Sequence, residues 1–271
     1  VGSRVKRLNV GDRVVAEHVI ACGACHYCKR GKPNLCLQAK VLGLHLPGAL
    51  AQYMRVPASL VHGIPPTVSF DEASLIEPLA IAVYTASVAG YLLEKKVAVV
   101  GQGPIGVLLD HVLTAGGAQV VGIDVLDDRL RFVRQQGWTH LVLNPQRSDF
   151  RKRMAAFAPI GVQDAFEVVG KAATADLCVD LTRKNGSVYL LGIFESKASI
   201  DLMKVVKKEL HVNGSWTCAF AFPRAIELVR EKKVNLKELI THTYTFKNAA
   251  RAFAEADAYA GKRMKTIIRM G

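Results

Sequence analysis

Four cysteines stand close together near the beginning of the sequence, and their spacing suits a metal site. Two residues separate Cys22 from Cys25 and Cys25 from Cys28, and seven residues separate Cys28 from Cys36. Glycine and proline residues between them permit the chain reversals that bring four thiolates together. Zinc in structural sites takes four tetrahedral ligands, and a lobe with few apolar residues needs such a metal to keep its shape. The spacing therefore predicts a zinc ion bound by Cys22, Cys25, Cys28 and Cys36.

These cysteines have two other possible uses. Disulfides are typical of secreted chains, whereas dense spacing in a chain of intracellular character favours a metal. A C-x2-C-x2-C run also opens bacterial ferredoxin sites, but in those sites a proline follows the fourth cysteine. Here Leu37 follows Cys36. Zinc is favoured over both alternatives. His26, inside the lobe, is predicted to be a bystander because four thiolates already complete a zinc shell.

A glycine motif in the middle of the chain predicts a dinucleotide site. The apolar segment Val97–Val100 is followed at once by Gly101, Gly103 and Gly106 in the pattern G-x-G-x-x-G. A helix over 104–115 and a strand over 119–123 come next, ending at Asp124. In such units the glycines permit a tight turn and a close approach to a pyrophosphate, which the helix amino terminus attracts. The predicted cofactor-binding residues are Gly101, Gly103, Pro104, Ile105, Gly106, Asp124 and Arg129.

The residues around Asp124 favour NAD over NADP. An acid about 20 residues after the glycine motif typically bonds the ribose 2′-hydroxyl. Val125 and Leu126 follow it, so no arginine or serine is there to bind a 2′-phosphate. Arg129 has two interpretations: contact with the adenosine end of the cofactor, or an exposed position on a helix.

Glu77 is the one acid in an otherwise apolar run from Leu75 to Ala82. It is either a carboxylate at a helix end that reaches solvent or a carboxylate carried into a cleft. In the second interpretation, Pro78 holds it at a bend. Upstream, Ser69 is predicted to cap a helix that contains Asp71 and Glu72.

The alternation of apolar segments predicts an α/β fold with a doubly wound parallel sheet of the Rossmann type over 85–214. Residues 1–84 are predicted to be a β-rich domain with its cysteine lobe at 22–36, and residues 215–271 to return to that domain. Strands are expected at 12–20, 41–46, 52–56, 140–143, 163–169, 187–192, 210–214 and 264–269. Helices are expected at 127–136, 150–157, 172–182, 202–208, 222–232 and 247–260.

Composition excludes several function classes. The net charge is +13 over 271 residues, but the basic residues are spread along the chain, which argues against nucleic-acid binding. No apolar run approaches the about 20 residues of a membrane-spanning helix. No signal peptide is visible, and a cytoplasmic location is expected. The sequence begins at Val1 rather than Met, so an amino-terminal segment is expected to be missing.

Several motifs together give the chain a family resemblance. They are the opening VGSRVKRLNVGDRVV, the four-cysteine lobe, Glu77–Ala80, the glycine motif and the residues from Lys237 to His242. With these, the chain resembles the zinc-dependent alcohol and polyol dehydrogenases of the medium-chain dehydrogenase/reductase family, in the branch that contains sorbitol and threonine dehydrogenases. The resemblance implies a partial GroES-like catalytic domain, a Rossmann domain for NAD, structural zinc in the lobe, a small alcohol or polyol substrate, and a homodimer or homotetramer.

The resemblance also implies a catalytic zinc, with Glu77 at the position of one ligand. The family's cysteine and His–Glu ligands precede the position that matches Val1, so this sequence contains neither. Tyr84 stands where the family often has a histidine, shortly after this glutamate. His18, His45 and His62 lie in no ligand motif. We therefore expect the 271-residue chain alone to bind one zinc and to oxidise no alcohol. The alternative function is a catalytically silent zinc- and NAD-binding homologue with a structural or regulatory role.

Overall fold

The structure, a computed structural model, describes residues 1–258 and 263–270. Its strands, in chain order, are β1 (Val14–Ala16), β2 (Val19–Ile20), β3 (Lys40–Val41), β4 (Val61–Gly63), β5 (Lys96–Val100), β6 (Gln119–Ile123), β7 (Leu141–Leu143), β8 (Val162–Glu167), β9 (Thr182–Leu190), β10 (His211–Gly214), β11 (Ile240–Thr245) and β12 (Lys265–Arg269). Its α-helices are α1 (His26–Lys29), α2 (Phe70–Ala73), α3 (Ile76–Ala89), α4 (Pro104–Ala115), α5 (Asp127–Gln136), α6 (Phe150–Phe157), α7 (Ala172–Leu181), α8 (Leu202–Lys208), α9 (Phe222–Arg230) and α10 (Ala249–Asp257).

The chain divides into two compact units. Unit 1 holds Val1–Tyr84 and most of the described residues from Thr217 onward, and unit 2 holds Thr85–Trp216 with a short later piece. The functional division into a catalytic and a cofactor domain stays a prediction. No helix in residues 1–258 and 263–270 is long and apolar enough to cross a membrane.

Unit 2 is built on a six-stranded sheet in the order β10-β9-β8-β5-β6-β7, and every pair in it is parallel. This is the strand order of a Rossmann fold, with the first strand β5 in the middle. The central strands β5 and β6 consist mostly of small β-branched residues, and four of the five residues in each are buried. Burial on both faces is what a parallel sheet covered by helices requires. The predicted doubly wound α/β class is confirmed.

The helices of unit 2 begin and end where local chemistry sets their limits. Gly103 is the N-cap of α4, and Pro104 takes the first helical position, where a missing N–H costs nothing. Helix α5 ends at Gly137, whose φ of 68° is the left-handed conformation that favours glycine. One apolar cluster joins the sheet to α6 and α7 and includes Val121, Met154 and Val179.

Unit 1 is less regular, and three strand predictions differ from the structure there. The predicted strand over 12–20 is split into β1 and β2, and residues 52–56 form no strand. The predicted strand over 41–46 shrinks to β3, because the chain turns back so that the Gly43 N–H bonds the Leu46 carbonyl at 2.8 Å. Alternating side chains are not enough for a strand, because the backbone also needs a partner to bond. The strand pairs that do form are β1 with β4 and β2 with β3, both antiparallel, and β11 with β12, parallel.

The approach to Glu77 is ordered by a capped turn. Ser69 accepts the N–H of Glu72 at 3.1 Å, and the Glu72 carboxylate accepts the N–H of Ser69 at 3.0 Å, so the predicted cap of α2 is a full capping box. The bend predicted at Pro78 is wrong, because α3 runs through it from Ile76. Pro78 lies in the first turn, where a backbone N–H has no acceptor inside the helix. The predicted helix over 247–260 is observed as α10, and residues 259–260 lie outside the described part of the chain.

Candidate active site and metal centre

The glycine turn between β5 and α4 leaves no room for side chains. Gly101 has a φ of +111°, and a Cβ placed on it would lie 2.6 Å from a methyl of Val169. A Cβ on Gly106 would lie 1.8 Å from the Gly101 carbonyl oxygen, which is backbone and cannot move aside. Gly103, Pro104 and Ile105 are only half-buried, so the outer face of the turn is open. The turn thus presents backbone N–H groups at the start of α4, as a pyrophosphate site requires.

Asp124 follows β6 and is held against this turn. Its side chain is mostly buried, and its Oδ2 accepts the N–H of Gln102 at 2.8 Å. Its Oδ1 accepts the N–H of Leu126 at 2.9 Å. Two backbone bonds fix the carboxylate in orientation, and each oxygen keeps a lone pair that can accept a ribose hydroxyl.

Arg129 lies in the first turn of α5, and its side chain extends over the glycine turn. Its Nη1 lies 3.5 Å from the Asp124 Oδ2, and the same nitrogen lies 3.7 Å from where a Cβ of Gly103 would stand. Its Nε is buried without a hydrogen-bond partner. Of the two interpretations, an exposed helix position does not describe this geometry. Its contact with a cofactor stays a prediction.

A buried acid that sequence reasoning missed stands at the end of the neighbouring strand. The Glu167 Oε1 accepts the N–H groups of Val169 and Gly170, both at 2.9 Å, and the hydroxyl of Thr174 at 2.6 Å. Its side chain is fully buried, and these bonds shape the loop after β8 beside the glycine turn. The available signal was an acid near the end of a predicted strand, at the edge of the sheet where ligands of such folds bind.

The four cysteines of the lobe converge as predicted. Their Sγ atoms all lie within 4.8 Å of one another. The Cys25 and Cys28 sulfurs are 3.5 Å apart, and the Cys22 and Cys28 sulfurs are 4.0 Å apart. Four sulfurs at zinc–sulfur bonds of about 2.3 Å stand about 3.8 Å apart, so the spacing fits one tetrahedral zinc ion. A four-iron cluster places each thiolate on a different iron and would hold the sulfurs farther apart.

Backbone groups prepare these sulfurs for a cation. The N–H of Cys22 donates to the Cys36 Sγ at 3.2 Å, and the N–H of Cys25 donates to the Cys22 Sγ at 3.3 Å. Backbone hydrogen bonds, first that of Cys28, lower the pKa of Cys25 to about 6. Burial, reinforced by the neighbouring Cys25, raises the pKa of Cys28 to about 12. All six cysteines are free thiols, so the disulfide alternative is not observed.

Glu77 lies in the first turn of α3 and faces a histidine from the loop between β1 and β2. Its Oε1 is 3.2 Å from the Nδ1 of His18, and the two side chains are 35% and 20% exposed. The distance is within ion-pair range, yet the geometry is not that of a hydrogen bond, and Nδ1 is a buried atom without such a partner. Glu77 thus lies at a helix end and is partly exposed, and its role in a cleft stays a prediction. His18 and Glu77 are far apart in sequence, so no spacing could have paired them.

The other two histidines already have partners. The Nδ1 of His45 accepts the N–H of Val41 at 3.1 Å within its own loop. His62 bonds Glu17 with an Nε2 to Oε1 distance of 2.8 Å and stacks on Phe222. Neither is as available to a ligand as His18.

The two cysteines outside the lobe are buried thiols, as predicted. Cys178 lies in the core of unit 2, where burial raises its pKa well above the usual range. Burial, followed by the charges of Glu77 and Glu17, raises the pKa of Cys218 to about 12. Both thiols stay protonated at neutral pH.

Comparison with known proteins now adds to this geometry. Residues 1–66 match the family model of the alcohol dehydrogenase GroES-like domain, and residues 104–231 match that of the zinc-binding dehydrogenases. L-idonate 5-dehydrogenase from Vitis vinifera is 31% identical over 100% of this chain and 76% of its own length. Sorbitol dehydrogenase 1 from Saccharomyces cerevisiae is 32% identical over 99% of this chain and 78% of its own length.

This chain belongs to the zinc-binding alcohol and polyol dehydrogenase family. A solved structure described as a short chain alcohol dehydrogenase from Escherichia coli, complexed with NADH, has the same fold. Its TM-score is 0.93 at 27% identity, over 100% of this chain and 80% of that one.

Family membership confirms the main functional prediction. The chain is a zinc-dependent oxidoreductase of the alcohol and polyol dehydrogenase class, with a GroES-like region followed by a Rossmann sheet. The two relatives above are named as dehydrogenases, and nothing in the comparisons favours the silent alternative. The substrates of this class are small alcohols. The structure brings the predicted lobe residues together and the glycine turn to Asp124, while the role of each stays a prediction.

Proposed function

We propose that this dehydrogenase transfers a hydride between a secondary alcohol or polyol and NAD. The observation that carries the proposal is Asp124, a buried carboxylate locked against an open glycine turn by two backbone bonds. An acid in that position accepts ribose hydroxyls and repels a 2′-phosphate. The names of the relatives, an idonate and a sorbitol dehydrogenase among them, support a polyhydroxylated substrate.

In this proposal the residues of unit 2 orient the cofactor. The N–H groups at the start of α4 bind the pyrophosphate, and Asp124 bonds the ribose next to the adenine. Arg129 lies over the turn and adds positive charge beside the phosphates. NAD itself supplies the hydride acceptor. The protein's part is to hold the nicotinamide in one orientation and to exclude water from it.

The residues of unit 1 fit two different kinds of zinc site. The lobe offers four sulfurs, which close a tetrahedral shell, so a zinc ion there is structural. Glu77 offers one oxygen beside the Nδ1 of His18. These two donors would leave the other coordination positions of a metal ion unfilled. A zinc ion bound through Glu77 would supply the Lewis acidity that lowers the pKa of an alcohol.

Cofactor choice is tested by calorimetric titration of the whole chain with NAD and with NADP. We expect tighter binding of NAD, and we expect Asp124→Asn to narrow the difference, because the amide keeps the shape but not the charge. Asp128→Asn, on the exposed side of α5, is the matched control and keeps the wild-type preference. Equal affinity of the wild type for NAD and NADP would show that Asp124 does not favour NAD over NADP.

Turnover is tested by following NADH formation from four- to six-carbon polyols by the zinc-loaded protein. We expect polyol-dependent NADH formation, and ketose-dependent oxidation of NADH in reverse. The expectation that the 271-residue chain alone oxidises no alcohol stays a prediction, and this assay decides between that expectation and the proposed function. If the NAD-saturated protein neither oxidises nor binds any polyol or secondary alcohol, the proposed function is wrong.

We also propose that the protein works as a homodimer or homotetramer. Within the described residues, β10 is paired on one side only, and the adjacent α8 exposes Leu202, Met203 and Val206. An unpaired strand edge beside exposed apolar side chains is a surface that a second copy can cover. Sedimentation of the wild type and of Val206→Lys tests this, with a shift of the variant toward monomer expected.

A further inference from the structure

Helix α4 contains a buried acid that the proposed cofactor site does not use. Asp110 is 0% exposed, and both of its carboxyl oxygens are buried without a hydrogen-bond partner. It lies four residues after Gly106, so it shares the helix face on which Gly106 approaches the glycine turn. Among the described residues, no basic side chain forms an ion pair with it. An unpaired charge in the protein interior is strongly unfavourable, so this carboxyl needs another explanation.

The polar side chain beside Asp110 is that of Gln102, the residue between the first two glycines of the motif. Gln102 is also 0% exposed, and its Nε2 donates to the Val99 carbonyl at 3.3 Å. Its amide packs on Gly122, where a Cβ would lie 2.7 Å from the Gln102 Oε1. That Oε1 is buried without a hydrogen-bond partner. The amide is therefore held in place with one acceptor unused.

A proton on Asp110 would satisfy both residues. An ionised carboxylate only accepts hydrogen bonds, and so does the Oε1 of Gln102, so a carboxylate would leave this oxygen unpaired. A protonated carboxyl has one O–H that can donate to Oε1, and the second hydrogen on Nε2 can bond the remaining carboxyl oxygen. Burial raises the pKa of Asp110 well above its usual range, although the Gln102 side chain opposes the shift. A neutral carboxyl fits this position, as a charged one does not.

Gln102 connects this buried pair to the cofactor site. Its backbone N–H donates to the Asp124 Oδ2 at 2.8 Å, and Asp124 is the carboxylate proposed to bond the ribose. We propose that Asp110 is a positioning residue whose protonated carboxyl donates to the Oε1 of Gln102 and so holds the glycine turn in the conformation that binds NAD. This inference deepens the proposed function and rests on it for NAD, but the proton on Asp110 is detectable without any cofactor.

Infrared spectroscopy of the full chain detects this proton. At about pH 7 ordinary aspartates and glutamates are ionised, so the carbonyl band of a protonated carboxyl is separate from theirs. We expect this band in the wild type and its loss in Asp110→Asn. Gln102→Met should keep the band and move it to higher frequency, because the carboxyl loses its hydrogen bond. The proposal is overturned if Asp110→Asn removes no such band, or if Gln102→Met leaves the band where it was.

Calorimetric titration with NAD tests the positioning role. Asp110→Leu has about the same size but no donor, so it should bind NAD about tenfold more weakly, as expected when a buried acceptor is left unpaired. Asp110→Asn supplies an amide N–H in place of the O–H and should bind NAD more tightly than Asp110→Leu, near the wild-type affinity. Urea unfolding establishes that each variant is folded under the conditions of the titration.

Asp164→Asn is the matched control, because it alters another buried aspartate of unit 2, whose bond goes to Lys95 instead. It should keep both the NAD affinity and the Asp110 band. Wild-type affinity in Asp110→Leu, or equal weakening in Asp110→Leu and Asp110→Asn, would overturn the positioning role while the proposed function stands. A wild type that shows the band but binds no NAD would refute the proposed function, and the positioning role with it.

Discussion

The two units of this protein are stabilised by different interactions. In unit 2, residues 97–100 of the central strand β5 are each at most 2% exposed, and so are residues 120, 121 and 123 of β6. In unit 1, no residue of β1, β2, β3 or β4 is buried. Burial of apolar side chains stabilises by about 25 cal/mol per Å², so the parallel sheet is held by its own core.

The short strands of unit 1 must be held by specific links instead. The links observed are sulfur atoms gathered in the lobe, the two His–Glu pairs, and the Asp71–Arg269 ion pair. A sheet held by burial resists small changes on its surface, whereas a region held by a few bonds depends on each of them. Changes chosen in pairs, one in each unit, therefore test this difference.

The largest effect is expected from Gly106→Ala in unit 2. The added Cβ would lie 1.8 Å from the Gly101 carbonyl oxygen, so the turn and α4 must move apart. We expect a loss of about 4 kcal/mol or more in the free energy of unfolding of unit 2, together with loss of NAD binding. Urea unfolding and calorimetric titration measure the two effects.

Gly214→Ala is the control in the same unit, because nothing lies within 4 Å of a Cβ at Gly214 and its φ is not in the left-handed region. It should keep both stability and NAD affinity. Wild-type NAD binding by Gly106→Ala would contradict the cofactor assignment of the turn.

The second effect is expected from Cys28→Ser, which removes one sulfur from the lobe of unit 1. We expect the zinc content to fall by about one ion per chain, the ion held by the lobe, and unit 1 to unfold at a lower urea concentration, because metal binding to such a site is folding free energy. NAD binding should be unchanged, since no cofactor residue is altered. Metal analysis measures the zinc content, and urea unfolding followed by one probe in each unit measures the stability of unit 1.

Cys178→Ala is the matched control for Cys28→Ser. It removes a buried thiol from the core of unit 2 and should leave the zinc content unchanged while lowering the stability of unit 2 alone. A zinc content in Cys28→Ser equal to that of the wild type would show that the lobe is not the structural metal site.

The same difference explains which elements the sequence could predict. Helices α5, α6 and α8 have the predicted bounds, and every predicted strand of unit 2 is present with ends shifted by a few residues. Strands buried on both faces leave continuous apolar runs, and glycines mark their ends. In unit 1 the strands of two or three residues are set by partners distant in sequence, so the predicted strands over 12–20, 41–46 and 52–56 could not be placed.

The candidate site residues also divide into those that are close in sequence, which could be predicted, and those that are distant in sequence, which could not. The lobe and the glycine motif are local in sequence, so their spacing is visible in it. The pairing of His18 with Glu77 is set by the path of the loop after β1 and by the start of α3, and neither is a local pattern. Glu167 was missed for another reason: two of its three partners are backbone N–H groups, which leave no trace in residue types.

The third effect is a loss of stability of unit 2 in acid. Burial lowers the pKa of His111 to about 4, and its ring lies 4.2 Å from that of Trp138. The unfolded chain, with a pKa near 6.5, binds the proton first, so stability is full above about pH 6.5 and is lost as the pH falls toward 4. The expected loss is about 3 kcal/mol, from 1.36 kcal/mol for each unit of pKa difference.

Urea unfolding of unit 2 at pH 7 and at pH 4 measures this loss. His111→Leu removes the titrating ring and should show a pH dependence smaller by about the same 3 kcal/mol. An equal pH dependence in the two proteins would mean that His111 is not the group responsible.

The smallest effects come from one ion pair in each unit. In unit 2, the Lys95 Nζ lies 2.7 Å from the Oδ2 of Asp164, whose side chain is 4% exposed. In unit 1, Arg269 bonds Asp71 at 2.5 Å, and the two side chains are 61% and 30% exposed. Burial raises the pKa of Asp164 even though Lys95 opposes it, whereas the hydrogen bond from Arg269 lowers the pKa of Asp71.

Lys95→Met leaves a buried carboxyl without its partner and should cost about 2–3 kcal/mol, near the low end for a broken buried pair because Asp164 can take up a proton. A folded-state pKa above the unfolded value gives stability that is present in acid and lost as the pH rises, so the cost should grow from pH 5 to pH 8. Arg269→Met should cost less than about 1 kcal/mol, and the Asp71–Arg269 contribution should shrink further in high salt. Urea unfolding of both variants at the two pH values, with and without added salt, measures these differences. Equal losses of unfolding free energy in the two variants would mean that burial does not make the ion pair of unit 2 costlier to break than that of unit 1.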